Sequence, residues 1–306
     1  MDNKSFSIES KIAILKKNKP AALAMLADCT VCPRLCHVDR TKGEPGRCGM
    51  PEQIKIASAN LHHGEEPPIS GARGSGTIFL SGCNLSCVYC QNYPISQYRN
   101  GEFVSIEDTA GLMLSLERRG AHNINFVTPT HYVPQLMAAM LAAYKAGLTI
   151  PIVYNSSGYD SVGTLKLLEG VVEIYMPDMR YADGDNAAKY SGAADYPEIN
   201  RAAIKEMNRQ VGVLQIENEI AVQGLLIRHL VLPDNIAGSK EIFDFIAAEI
   251  SPDTYLAVMS QYFPAYKACD MPVLSRRLTH EEYDRALDDF EESGLHNGFI
   301  QPFLGE

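Results

Sequence analysis

The sequence lacks three features that mark whole classes of protein. It contains no apolar run approaching the ~20 residues that a membrane-spanning helix needs. It has no excess of basic charge, because 27 lysines and arginines stand against 37 aspartates and glutamates. Phosphate backbones are bound by basic surfaces, so this balance argues against a nucleic-acid partner. It has no repeats or low-complexity tracts, and its hydrophobic content of 46% is typical of a folded globular protein.

The N-terminal segment lacks the pattern of a secretory signal. Its apolar run AALAMLA, residues 21–27, is short and weakly apolar. Asp28 precedes the first cysteine, where a lipoprotein cleavage site has a small residue. We therefore predict a cytoplasmic protein in which residues 1–28 form one or two short helices, broken at Pro20.

Eight cysteines are present, and their distribution is uneven. Seven fall in two groups within the first third of the chain, whereas Cys269 stands alone and is expected to be a buried thiol. In cytosolic proteins such groups bind metals more often than they form disulfides. Disulfides are the alternative, but a chain of 306 residues can bury a core without them.

From Thr77 onward, short apolar runs alternate with amphipathic segments. Six runs are predicted to be strands: TIFLSG, NINFVT, PIVYNSSG, VVEIYMPD, GLLIRHLVLPD and TYLAVMSQ. Strands that alternate with helices predict a parallel sheet with right-handed crossovers, and six units close only part of an eight-stranded barrel. The predicted fold class is α/β, a partial (β/α)6 barrel of the TIM type over residues 71–306.

The predicted helices carry recognisable ends. Ser105 caps one helix and Gly120 ends it, and Thr279 with Glu282 forms a capping box for the last. The segment VLQIENEIAVQGLL is a candidate hairpin, and a long polar loop is expected over 181–196. Residues 1–70 form a separate N-terminal segment, helical at first and then a cysteine-rich, metal-binding unit or loop-rich apron.

The stretch SGCNLSCVYCQN places Cys83, Cys87 and Cys90 on one short loop after a strand. The spacing C-x3-C-x2-C can hold three irons of a 4Fe–4S cluster and leaves the fourth without a protein ligand. An open coordination position is what a metal site needs to act on a substrate. A zinc knuckle or a chance spacing is the alternative interpretation.

The motif CNLSCVYC resembles the cluster motif of the radical S-adenosylmethionine (radical SAM) superfamily. Other motifs resemble the pyruvate formate-lyase activating enzyme group and its uncharacterised relatives: YNSSGY, YMPDMRYAD and IRHLVLPD. The resemblance implies that Cys83, Cys87 and Cys90 bind the catalytic cluster and that S-adenosyl-L-methionine occupies the open iron. A flavodoxin or ferredoxin would reduce the cluster, and a 5′-deoxyadenosyl radical would take hydrogen from a protein or small molecule. A glycyl-radical enzyme is one such substrate.

The same resemblance assigns the residues that contact the cofactor. Tyr89 would lie near the adenine, and Asn155 would reach the ribose unless it is only a turn residue. Asp178 and Arg180 match an Asp-x-Lys element, with Arg180 pairing the methionyl carboxylate; a surface salt bridge is the alternative. Alternation along a strand lets only one of Arg228 and His229 face the barrel interior. Gln261 or Tyr262 would close the site.

The sequence departs from that group after the second strand. The group has Gly-Gly-Glu there, whereas this chain has Val-Thr-Pro-Thr-His, residues 127–131. Thr128 and Thr130 are the available substitutes, and neither replaces the charge. His131 is either a proton donor or substrate contact, or a hydrogen-bonded histidine that opens a helix.

Cys29, Cys32, Cys36 and Cys48 form the second group, with the spacing C-x2-C-x3-C-x11-C. Four thiolates can close either a tetrahedral zinc site or a second iron–sulfur cluster. This unit, the barrel mouth and residues 181–196 are expected to shape the substrate pocket. The competing function is a non-catalytic metal-binding or electron-transfer protein, which would have no affinity for S-adenosylmethionine.

Overall fold

A computed structural model describes residues 7–304 of the chain. The strands, in chain order, are β1 (Ile54–His62), β2 (Ser75–Leu80), β3 (Glu102–Val104), β4 (Ile124–Val127), β5 (Ile152–Ser156), β6 (Ile174–Pro177), β7 (Gln215–Glu217), β8 (Ile220–Leu230), β9 (Tyr255–Met259) and β10 (Asn297–Ile300). The helices are α1 (Ile8–Ala24), α2 (Pro67–Ser70), α3 (Tyr93–Ser96), α4 (Ile106–Arg118), α5 (Val133–Lys145), α6 (Val162–Leu167), α7 (Gly184–Ser191), α8 (Tyr196–Val211), α9 (Ser239–Glu249) and α10 (His280–Glu292).

A mostly parallel sheet forms the centre of the fold. Parallel pairing runs through the order β10-β9-β8-β6-β5-β4-β2. β1 extends the sheet antiparallel to β2, β3 pairs with β1, and β7 forms a hairpin with β8. Within residues 7–304 no pairing joins β10 to β3, so the sheet curves as an open, partial barrel. The predicted fold class is confirmed, with β10 as a parallel strand that the sequence prediction missed.

Local sequence signals account for most of these elements. The six predicted strands correspond to β2, β4, β5, β6, β8 and β9, and the candidate hairpin is β7–β8. Ser105 accepts from the backbone N–H of Asp108 in a capping box, and Thr279 does the same with Glu282. The parallel strands are buried on both faces of the sheet. Their sequences are therefore continuous apolar runs and do not alternate with polar residues.

Three local predictions are wrong. Pro20 lies inside α1 and does not break it, because α1 packs along α5 and Leu15 and Ala22 are fully buried. The loop predicted over 181–196 contains α7, capped by Asp183, whose side chain accepts from the N–H of Asn186. Cys269 is exposed, not buried, since its short 3-10 turn lies on the surface. The prediction for residues 1–6 lies outside the described residues.

The N-terminal segment is built onto the barrel. β1 adds a strand to the sheet beside β2, and the side chains of α1 join the same buried core as α5. Lys11 of α1 is buried against Glu173 and Tyr144 of the barrel. The boundary at residue 70 stays a prediction.

Among residues 7–304, no helix combines the length and the apolar character needed to cross a membrane.

Candidate functional site: a three-cysteine loop at the barrel mouth

The three-cysteine loop leaves the carboxyl end of β2, at the edge where active sites of such barrels lie. Gly82 turns the chain with φ of 81°, and a Cβ there would lie 2.8 Å from the carbonyl oxygen of Cys48. A glycine is therefore required at this turn. The N–H groups of Ser86 and Val88 donate to the carbonyls of Ser191 and Tyr190, which fix the loop on the end of α7.

Each thiol of the loop has a hydrogen-bond donor beside its sulfur. The N–H of Leu85 donates to Cys83 Sγ at 3.4 Å. Ser191 Oγ donates to Cys87 Sγ at 2.9 Å, and Arg180 Nη1 lies 3.6 Å from the same sulfur. Ser96 Oγ lies 3.1 Å from Cys90 Sγ. Donors aimed at sulfur stabilise thiolate ligands and tune iron–sulfur clusters, so these residues fit the three-cysteine ligand set.

Burial also shifts the pKa of two of these thiols. Burial raises the pKa of Cys83 to about 12, and the neighbouring Cys87 and Cys90 raise it further. Burial and Cys87 also raise the pKa of Cys90. Bound iron would reverse this preference, because a coordinating thiol loses its proton. The raised pKa values of Cys83 and Cys90 therefore favour the protonated thiols until a cation binds beside them.

A cavity of about 170 Å³, here called the cysteine cavity, opens beside this loop at the carboxyl ends of β6, β8 and β9. Its lining includes Tyr89, Cys90, Asp178, Arg180, Arg228 and Gln261. All six are residues that the sequence singled out. The structure thus brings one thiol, two guanidiniums and one carboxylate to a single space.

Asp178 organises the charges of this cavity. Its carboxylate accepts from Arg180 Nη2 at 2.5 Å and from Arg228 Nε at 3.0 Å. Arg228 also donates to Asn155 Oδ1 at 2.7 Å. Burial opposes the charge on Arg180, but Asp178 and Cys87 hold its pKa above the usual value. Arg180 Nε is buried without a partner among the described residues, so this guanidinium has a donor to spare for a ligand.

Of the other predicted cofactor contacts, Tyr89 lines the cysteine cavity and Thr128 does not. Tyr89 is buried, with its ring edge-on to Tyr181 and Tyr262 at 6.4 and 6.1 Å between ring centres. Thr128 has φ of 62° and donates its N–H to the carbonyl of Asn155, but it does not line the cysteine cavity. Their roles toward S-adenosylmethionine stay predictions.

Neither His131 nor His229 lines the cysteine cavity. His131 is buried, its Nε2 lies 2.9 Å from the carbonyl of Ser81, and burial lowers its pKa to about 3. It is therefore neutral at pH 7, which favours the helix-opening interpretation over a proton donor. His229 lies between the carbonyl of Met179 and Ser239 Oγ, whereas Arg228 enters the cavity, as the alternation along the strand predicts.

The four N-terminal cysteines also come together. Burial raises the pKa of Cys32 to about 12, with Cys48, Cys29 and Cys36 adding to the shift. A Cβ on Gly46 would lie 3.4 Å from Cys36 Sγ and 3.8 Å from Cys48 Sγ, so both sulfurs flank this glycine. The N–H of Arg47 donates to Cys36 Sγ at 3.2 Å. Four thiols around a tight turn fit a closed metal site.

The packing of the cysteines bears on which metal they suit. Among residues 7–304, no three His, Cys, Asp or Glu side chains converge as a single metal ion requires. A lone zinc ion holds its thiolates at about 2.3 Å and so draws them close together. A four-iron cluster has its cysteines on different irons, which spreads the sulfurs. The metal of the N-terminal group stays a prediction, either zinc or a second iron–sulfur cluster.

Sequence reasoning missed Glu65 and Glu66, which lie in the loop between β1 and α2. Glu65 Oε2 lies 3.4 Å from Arg228 Nη1, and Glu65 Oε1 accepts from Asn125 Nδ2 at 3.0 Å. Both glutamates line a second cavity of about 210 Å³, here called the glutamate cavity. The only sequence signal was a pair of acidic residues followed by two prolines.

Comparisons with known proteins agree with this geometry. The sequence profile of the Radical SAM superfamily matches residues 77–177, which include the cysteine loop and Asn155. Uncharacterized protein MJ0674 of Methanocaldococcus jannaschii is 32% identical over 287 residues, covering 88% of this chain and 75% of the relative. Uncharacterized protein MJ0808 of the same organism is 23% identical over 263 residues, covering 80% and 73%.

This chain belongs to the radical SAM superfamily. Membership implies radical chemistry that depends on a 4Fe–4S cluster, S-adenosylmethionine and an outside source of electrons. Neither comparison points to the activating-enzyme group that the motifs resemble, and neither relative's name states a substrate.

Proposed function

We propose that this protein is a radical SAM enzyme in which Cys83, Cys87 and Cys90 hold the catalytic cluster. Held by these three thiolates, the cluster would supply the one-electron reduction that cleaves S-adenosylmethionine to methionine and a 5′-deoxyadenosyl radical, the species that would take a hydrogen atom from the substrate. The observation that carries this proposal is the cysteine cavity, which lies against Cys90 and has no other cysteine among the residues that line it. The protein thus leaves space where a ligand can reach the cluster.

The residues of the cavity suit the parts of S-adenosylmethionine. Arg180 has a planar guanidinium with a spare donor, which fits a carboxylate. Asp178 holds Arg180 and Arg228 in place, and Glu65 supplies a second carboxylate beside Arg228. Tyr89 presents an aromatic edge in the same space, which suits contact with a planar base. Burial excludes water from these contacts and so strengthens them.

We also propose that the N-terminal cysteines hold a metal, either zinc or a second iron–sulfur cluster, since four thiolates can close either site. The enzyme would work in the cytoplasm, with a flavodoxin or ferredoxin as the electron donor. The glycyl-radical substrate rests on the sequence resemblance alone. The size of the glutamate cavity, about 210 Å³, supports a small molecule or one protein side chain as the group that reacts.

Anaerobic reconstitution with iron and sulfide, followed by dithionite and S-adenosylmethionine, tests the proposal. The wild-type protein and the Cys269→Ala variant should release 5′-deoxyadenosine, since Cys269 is exposed and does not line the cysteine cavity. Cys83→Ala should release none. A wild-type protein that binds iron on this loop but forms no 5′-deoxyadenosine would favour the non-catalytic electron-transfer function instead.

A further inference from the structure

The glutamate cavity adjoins the cysteine cavity. Arg228, Met259 and Gln261 line both spaces, so they form the wall between them. The far side of the glutamate cavity is formed by the loop after β1 and by residues of β10, including Phe299. The cysteine loop contributes no residue to it. A molecule in the glutamate cavity would therefore be separated from a ligand beside Cys90 only by this shared wall.

The charges around the two cavities do not balance. Glu65, Glu66 and Asp178 supply three carboxylates, whereas Arg180 and Arg228 supply two guanidiniums. Asp178 is shared by both arginines, and Glu65 takes the remaining donor of Arg228. Glu66 is left over. Its Oε2 atom is buried and has no hydrogen-bond partner among residues 7–304.

Leaving this oxygen without a donor is costly. A buried acceptor that has lost its water and gained no hydrogen bond destabilises the fold, and more so when it is charged. Burial raises the pKa of Glu66, although Arg228 opposes the shift. The loop cannot relax away from this position, because Ser70 Oγ accepts from the N–H of Glu65 and donates to its carbonyl. The fold therefore holds an acceptor ready for a donor that the chain itself does not supply.

We propose that the glutamate cavity is the substrate site and that Glu66 receives a cationic nitrogen of the substrate, a protonated amine or a guanidinium. This inference rests on the proposed function, since it places the substrate next to the cofactor space. Met259 and Phe299 offer apolar contact to the carbon chain that carries the nitrogen. Glu65 is engaged by Arg228 and Asn125, so it acts as a positioning residue that keeps Glu66 oriented.

Butylammonium and butanol, two probes of nearly equal size and different charge, test this inference on the reconstituted full chain. Isothermal titration should detect butylammonium in the wild type and in Glu291→Gln, an exposed control on α10. Glu66→Gln should weaken its binding at least tenfold, because a charge-assisted hydrogen bond is lost. Glu66→Asp should retain part of the affinity, and butanol should bind all four proteins equally weakly.

Titration of S-adenosylmethionine in the same proteins separates the two possible sources of the amine. The inference predicts that Glu66→Gln changes S-adenosylmethionine affinity less than twofold. It is overturned if butylammonium binds the wild type no better than butanol does. It is also overturned if Glu66→Gln weakens S-adenosylmethionine instead, because the carboxylate would then serve the cofactor. A wild type that binds butylammonium but not S-adenosylmethionine would contradict the proposed function and not this site.

Discussion

The two groups of cysteines differ in what faces them. The three-cysteine loop borders a cavity that contains a guanidinium with an unused donor. The four N-terminal cysteines border neither the cysteine cavity nor the glutamate cavity, and Cys29, Cys32 and Cys48 are buried. A metal site with an open side can exchange ligands, whereas a site enclosed by four thiolates cannot. This difference supports the proposal that the loop carries the chemistry, and it predicts an electronic or structural role for the N-terminal group.

The two groups nevertheless touch. Arg34, between Cys32 and Cys36, donates to the carbonyl of Asn84 in the three-cysteine loop at 2.7 Å. The same side chain donates to the carbonyl of Gly192 at the end of α7 at 2.8 Å. The N-terminal group therefore supports the three-cysteine loop through Arg34. Any experiment on one group must measure the other.

The largest effect is expected from Cys83→Ala. The variant should lose about four irons per chain and all cleavage of S-adenosylmethionine, since two thiolates hold a cluster poorly. Iron and sulfide analysis with chromatography of 5′-deoxyadenosine provides the measurement. The N-terminal metal should remain; its loss in this variant would contradict the independence of the two sites.

Cys32→Ala should affect the N-terminal metal and the stability of the fold more than it affects cleavage of S-adenosylmethionine. Metal at the N-terminal group should be lost, and the free energy of unfolding should fall by roughly 3 kcal/mol, because structural metals stabilise the fold they bind. Cleavage of S-adenosylmethionine by dithionite-reduced protein should fall less than tenfold. Denaturant melts and 5′-deoxyadenosine assays measure the two effects. Complete loss of cleavage with an intact loop cluster would show that the N-terminal group is part of the reaction.

Arg180→Lys should have a smaller effect. The variant keeps the charge beside Asp178 but loses the planar fork, so S-adenosylmethionine should bind about tenfold more weakly. Arg118→Lys, on the exposed face of α4, is the matched control and should bind normally. Calorimetric titration of reconstituted protein gives both affinities. Equal affinity in both variants would remove Arg180 from the cofactor site.

The smallest effect is a change in stability with pH. The pKa of Glu66 is raised in the folded chain, so the unfolded chain loses its proton first as the pH rises above about 4.3. The carboxylate therefore lowers stability between that pH and its folded pKa, and the loss persists at pH 7. Glu66→Gln should raise the free energy of unfolding by about 1 kcal/mol at pH 7. The gain should vanish below pH ~4; a gain independent of pH would indicate a packing effect.

The barrel could be predicted because its signals are local. Apolar runs, capping residues such as Ser105 and Thr279, and the cysteine spacing all act over a few residues. β1 could not be predicted because it lies within residues 29–70, whose cysteine, glycine, proline and histidine content is typical of loops. The break predicted at Pro20 is absent from α1 because the packing of α1 against α5 outweighs the lost backbone hydrogen bond.

The glutamate cavity could not be predicted from the sequence. Glu65 meets Arg228 across 163 positions of the chain, and the contact depends on where β1 joins the sheet. Gly64, Glu65 and Glu66 together have the composition of an ordinary surface loop. Only the fold shows that Glu65 and Glu66 line a cavity that shares a wall with the cysteine cavity.

Electron paramagnetic resonance of the reduced protein, with and without S-adenosylmethionine, tests the open side of the three-cysteine loop most directly. The account predicts that S-adenosylmethionine alters the cluster spectrum in the wild type and in Cys32→Ala, where only the loop cluster remains. It predicts no such change in Cys83→Ala. A loop cluster whose spectrum is indifferent to S-adenosylmethionine, or a response that survives in Cys83→Ala, would contradict it.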